Sequence, residues 1–211
     1  MKKLLFAVCA LAAISLLAPS AGFADAWQNR IGIYTSDTAA AANIATTPLF
    51  TPTNIYFVVS NPMLPDNSGP LPTVNAFEFK VSIVPDTGFF VLSQTKPAYT
   101  IDVGGGNTAN GVYDYAAGWP AALPIVNGMV KVMEWSIMFQ TAGPFNFYLN
   151  PSNVPSHPGY MAVNYTDPSE TAFLSDCMPS SGAFNSPVFT VGGTNTPVVN
   201  DTFGGVKALF R

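Results

Sequence analysis

The chain has 211 residues, of which 48% are hydrophobic and 9% charged, with a formal net charge of −4 and 16 Phe, 8 Tyr and 3 Trp. Disorder needs low hydrophobicity and high net charge, so this composition excludes a disordered chain and supplies enough apolar surface for one packed domain. It also argues against nucleic acid and anionic membrane surfaces as partners, because Arg30, Lys80, Lys96, Lys131, Lys207 and Arg211 are scattered singly and no cluster can neutralise several phosphates.

The chain opens with Lys2 and Lys3, an apolar run from Leu4 to Ala18, and the small-residue stretch Pro19, Ser20, Ala21, Gly22. That order predicts a secretory signal peptide over residues 1–24, cleaved after Ala24, with Ala26 as the alternative. The run falls short of the roughly 20 residues a bilayer span needs, and no later stretch matches it, so no membrane span is expected once the leader is removed. Export to the cell surface or the extracellular space is expected, with the periplasm also open. Cys9 sits inside the apolar run after Val8, the wrong place for a lipidated cysteine, and leaves with the leader. The mature chain then carries 6 basic and 12 acidic residues, a formal charge of −6. Its one cysteine, Cys177, allows no internal disulfide and is expected to be buried.

Strands are predicted from there on. Ile31 to Tyr34 is short and apolar, and Asn54 to Ser60 is rich in β-branched and aromatic residues before the Asn61-Pro62 breaker. Over Val74 to Val84, Phe77, Phe79, Val81 and Ile83 alternate with Glu78, Lys80 and Ser82, which predicts one buried and one wet face. Phe89 to Ser93, Ala98 to Val103 and Gly111 to Ala117 follow, separated by Thr95-Lys96-Pro97 and by Gly104 to Asn107, the latter read as a flexible hairpin loop. Met129 to Gln140 is apolar on both parities and reads as a central strand covered on both faces, with Met133, Trp135, Ile137 and Phe139 toward the core. Phe145 to Leu149, Tyr160 to Tyr165 and Pro187 to Val191 complete nine or ten strands, with most prolines between them. The expected fold is all-β, an antiparallel β-sandwich over residues 25–165. Residues 166–211 read as a loop-rich extension packing on it.

The succession Phe50-Thr51-Pro52 into Ile55-Tyr56-Phe57-Val58, the Ala76-Phe77-Glu78-Phe79 strand and the Met129 to Gln140 strand resembles cohesin-like and carbohydrate-binding sandwich modules over about Gly32 to Tyr165. The resemblance implies a cohesin-like, jelly-roll or immunoglobulin-like sandwich. It carries over no catalytic or binding residue, and cohesin function would also require dockerin partners. Pro179-Ser180-Ser181-Gly182 and the Phe203 to Arg211 ending make the whole chain similar to small exported proteins of uncultured bacteria, which implies no activity.

The chemistry-bearing residues are few. His157 lies between prolines with no Gly-x-Ser-x-Gly turn elsewhere, and reads as an exposed loop histidine rather than a triad base. One His and one mature Cys give no metal site of the usual ligand types, and no cofactor is expected. Asp66, Asn67, Ser68 and the Asp167/Glu170 stretch carry oxygen ligands without calcium-loop spacing and read as turns. Glu78 and Glu134 are the remote candidates for a glycoside-hydrolase carboxylate pair. Tyr113, Tyr115 and Trp119 are the candidate ligand-binding set, if exposed as a stacking platform for sugar rings. Phe203, Val206, Leu209 and Phe210 are the candidate assembly set, in a segment readable as a short helix or an added edge strand that docks on the sandwich or on a neighbour. Together these readings give a secreted, non-enzymatic β-sandwich that binds or assembles at the cell exterior. Its partner would be itself, another surface protein or a polysaccharide, with a carbohydrate-binding module as the alternative.

Overall fold

A computed structural model describes residues 29–193. The expected leader and the segment from Phe203 to Arg211 lie outside the described residues.

Thirteen strands and no helix occur among the described residues: β1 Arg30–Tyr34, β2 Asn43–Ile44, β3 Thr53–Ser60, β4 Thr73–Val84, β5 Phe89–Thr95, β6 Ile101–Asp102, β7 Gly106–Ala109, β8 Val112–Pro124, β9 Met129–Phe139, β10 Phe145–Asn150, β11 Met161–Thr166, β12 Ala172–Pro179 and β13 Phe189–Val191. They form an all-β sandwich. Sheet A runs β5-β9-β3-β1, all antiparallel. Sheet B centres on β4, with β8 along one edge and β10 and β11 sharing the other; β6 and β7 flank β8. β13 and β2 follow β10, while β12 follows β11 and pairs in parallel with β1, so hydrogen bonding passes from one sheet to the other.

The core lies where the two alternating patterns meet. Phe77, Phe79, Val81 and Ile83 of β4 are buried, as their period-two spacing predicts. Phe57 of β3 stacks on Phe79 with ring centres 5.6 Å apart, and its ring lies 5.1 Å from that of Trp135 on β9. Phe139 and Phe145 close one end at 4.9 Å.

The double-parity character of residues 129–140 has another cause than the one expected. Phe57 pairs with Met133 and Val58 with Lys131, so Val132 is an extra residue in β9. That bulge reverses the inward parity: Val130 and Val132 are buried before it, and Met133, Trp135, Ile137 and Phe139 after it. β9 is interior to its sheet, with outward side chains that are half-buried at Glu134, Ser136 and Met138 and exposed at Lys131.

Four further expectations are corrected. Residues 166–193 are not a loose extension: β12 and β13 complete the sandwich, and Cys177, Phe189 and Val191 are fully buried. β12 lacks an apolar alternation because it turns Ser175 inward, where the hydroxyl donates to the Met63 carbonyl at 2.6 Å, and leaves Leu174 outside. Gly104 to Asn107 is no flexible loop. A Cβ on Gly104 would stand 2.5 Å from the Ala116 amide, so only glycine lets this segment lie against β8. The strand expected from Ala98 shrinks to Ile101–Asp102 because Pro97 to Thr100 forms a turn, while the strand from Gly111 extends to Pro124 and takes in Pro120.

Candidate functional site

Tyr113, Tyr115 and Trp119 share the inward parity of β8 and lie in the core, so they present no face on which a sugar ring could stack. Register fixes this: Tyr113 pairs with Val81, Tyr115 with Phe79 and Ala117 with Phe77, all inward residues of β4. Tyr113 sits 4.8 Å from the Trp135 ring, and Trp119 sits 5.8 Å from Phe77. The Tyr115 hydroxyl donates to Gln94 at 2.8 Å, and burial, helped by the Asp102 charge, pushes this phenol far above the ordinary tyrosine range.

The two carboxylates do not meet either. Glu78 faces outward from sheet B and Glu134 outward from sheet A, on opposite sides of the sandwich. Glu134 accepts a 3.0 Å ion pair from Lys131 in solvent. Glu78 is 7% exposed, and its carboxylate accepts the Ser156 backbone N–H at 2.8 and 3.1 Å and the Ser156 hydroxyl at 2.7 Å. Asp114, also buried, accepts the Asn153 N–H at 3.2 Å, and Lys80 donates to the Asn153 side chain at 2.9 Å. His157 bonds Asp176 of β12 at 2.7 Å and stacks on Tyr160. Residues 151–160 are thereby strapped over sheet B by carboxylates from three strands. Asp66 and Asp167 close turns: the Ser68 amide donates to the first, and the Ser169 and Thr171 amides to the second. Among the described residues no three His, Cys, Asp or Glu side chains gather to hold a metal.

What sheet B does build is a trough beside a ridge. One cross-strand row reads Ile101, Gly118, Ala76, Asn164, Leu174 from β6 to β12. The next reads Ala116, Glu78, Ala162, Asp176, with Val103 held at its β8 end by its N–H donating to the Ala116 carbonyl. The middle of both rows is therefore Gly118, Ala76 and Ala162 with Asn164 and a tied-down Glu78, which together form a floor. Ile101 and Val103 stand at one border, 73% and 74% exposed, with Tyr99 beyond them, and Leu174 stands at the other. Four strand spacings separate Ile101 from Leu174, about 19 Å. A depression of about 220 Å³ lies over this floor, lined by Ala76, Ala116, Gly118, Ala162 and Leu174 and closed on one side by Ser156 of the strap. Asn164 Oδ1, in the floor, has no hydrogen-bond partner among the described residues.

The sequence carried one signal for this face, the outward parity of Ala76 and Glu78 beside Phe77 and Phe79. The row itself depends on registers between five strands.

No family model and no curated protein matches the chain. Among solved structures it is similar to a cohesin module from a Clostridium perfringens ATCC13124 family 33 glycoside hydrolase, at 7% identity over 72% of this chain and 98% of that one, with a TM-score of 0.39. It is also similar to a chain of the CaDoc0917–CaCohA2 complex, at 12% identity over 65% of this chain and 92% of that one, with a TM-score of 0.40.

Proposed function

We propose that this is an exported, non-enzymatic assembly module whose copies pair through the outer face of sheet B. The observation that carries the reading is the adjacency of ridge and trough. A two-fold pairing is self-complementary when one patch holds both a projection and a recess. Here the Ile101/Val103 ridge of each copy would enter the other's floor of Ala76, Ala116 and Gly118. Two exposed β-branched side chains per copy leave water. Few charges oppose the approach, since Glu78 is already engaged by the strap. Export rests on the leader read in residues 1–24, and N-terminal sequencing of the secreted chain should begin at Asp25.

Light scattering across a concentration series of the mature chain should show a dimer that grows with concentration. Ile101→Lys with Val103→Lys should leave a monomer of unchanged unfolding midpoint, because substitutions this exposed cost about 0.5 kcal/mol or less. A wild-type monomer at every concentration, or pairing that survives both lysines, would contradict the reading.

A further inference from the structure

The turn that leads into Ile101 and Val103 presents an aromatic ring to solvent. Tyr99 is 84% exposed, the most of any large apolar side chain among the described residues, and its φ is +61°. That is the left-handed region, which favours glycine and asparagine and strains a bulky side chain. The turn runs from Pro97 to Thr100, whose N–H and hydroxyl both donate to the Pro97 carbonyl, at 3.3 and 2.6 Å. Its base is pinned. Lys96 pairs with Asp102 at 2.6 Å and lies 4.7 Å from the centre of the Tyr115 ring, while Asp102 accepts the Gly104 and Ala116 amides. Among the described residues nothing bonds the Tyr99 hydroxyl or stacks on its ring. A strained residue held by its surroundings, with no contact inside the chain to offset the strain, points to a role outside it.

We infer that Tyr99 is the anchor of the pairing through sheet B, its ring seated on a second copy of the chain; the inference rests on that pairing. Size is the first argument. A stable interface covers about 800 Å² per partner, more than two aliphatic side chains supply, and a tyrosine brings about 150–250 Å² while fixing only two side-chain torsions. Position is the second. A two-fold axis lying along the strands keeps each residue in its own row and exchanges ridge for floor. Tyr99, two residues before Ile101, then meets the row beyond Asn164 and Leu174, which is Thr166 and Ala172. Both are small, Ala172 exposed and Thr166 half-buried, so the floor continues under the ring. Charge is the third. Lys96 and Asp102 neutralise each other at the base of the turn, so the ring approaches without stripping water from an unpaired charge.

The test measures dimer dissociation by light scattering, and urea unfolding, for the mature chain, Tyr99→Asn and Phe50→Asn. Phe50 is the control: it is an exposed aromatic at φ +54° on sheet A, where its N–H donates to the Phe139 carbonyl. Tyr99→Asn should weaken association at least about tenfold with a urea midpoint no lower than the parent's, because asparagine accepts this backbone conformation. Phe50→Asn should leave association unchanged. Ala172→Arg should weaken association too, and adding Tyr99→Asn to it should change little more, since the two positions meet. Undiminished association in Tyr99→Asn, while Ile101→Lys with Val103→Lys abolishes it, would overturn the anchor and leave the pairing standing. An equal loss in Phe50→Asn would trace the effect to surface apolarity in general and also overturn it. A mature chain that is monomeric at every concentration would overturn pairing and anchor together.

Discussion

On sheet A the outward positions include the large side chains Tyr34, Tyr56 and Met138, whereas on sheet B two adjoining rows carry Ala76, Ala116, Gly118 and Ala162. The Tyr34 ring folds over Gly32, where a Cβ would stand 2.6 Å from the ring edge, and its hydroxyl bonds Ser60 and Ser180. Lys131 lies 5.4 Å from the centre of the Tyr56 ring while pairing with Glu134. These side chains cover part of the sheet A face. The sheet B face is hollow, and its borders carry the exposed side chains Ile101, Val103 and Leu174. The two glutamates show the same division. Glu134 is a solvated partner of one lysine, whereas Glu78 holds down a loop.

The comparison breaks most fully at the core beneath both faces. Trp135 touches Phe57 from sheet A and Tyr113 and Tyr115 from sheet B, so Trp135→Ala should cost about 3–5 kcal/mol in urea unfolding. The glutamates sharpen the contrast. Glu78→Ala strands the Ser156 N–H and hydroxyl and should cost about 2 kcal/mol, with faster proteolysis of residues 151–160. Glu134→Ala should stay within about 0.5 kcal/mol, as exposed ion pairs do. Equal costs would dissolve the distinction between the faces.

A smaller effect comes with alkali. Burial raises Cys177, Tyr34, Tyr113 and Tyr115 above their ordinary values of 9.0 for the thiol and 10.0 for the phenols. Above those values the unfolded chain sheds protons that the folded chain keeps, so stability is full below about pH 9 and falls as pH rises. The urea midpoint should decline from there upward. The Cys177 thiol should react with a disulfide reagent only at the rate of unfolding.

Much of this architecture was legible in the sequence, because strands such as Thr73–Val84 combine period-two burial with turn residues at their ends. Parity in a strand with a bulge was not, since Val132 shifts the pattern without any change of residue type. β12 escaped for a related reason: it buries Ser175 and Cys177, and the energy that holds it comes from a hydroxyl bond and two neighbouring strands. The spacing of Tyr113 and Tyr115 puts them on one face of the strand expected from Gly111 to Ala117, with Trp119 beyond it, but which way that face looks is decided by register with β4. The trough was not legible, because a floor of Ala and Gly has no signature until five strands are aligned.

The most direct test of pairing through sheet B mixes two variants. Ile101→Ala with Val103→Ala removes the ridge and keeps the trough; Ala76→Phe fills the trough and keeps the ridge. Each alone should be monomeric in light scattering, and an equimolar mixture should form a measurable dimer, because one intact ridge then meets one intact trough. A mixture that associates no more than its separate components would contradict the pairing of ridge with trough.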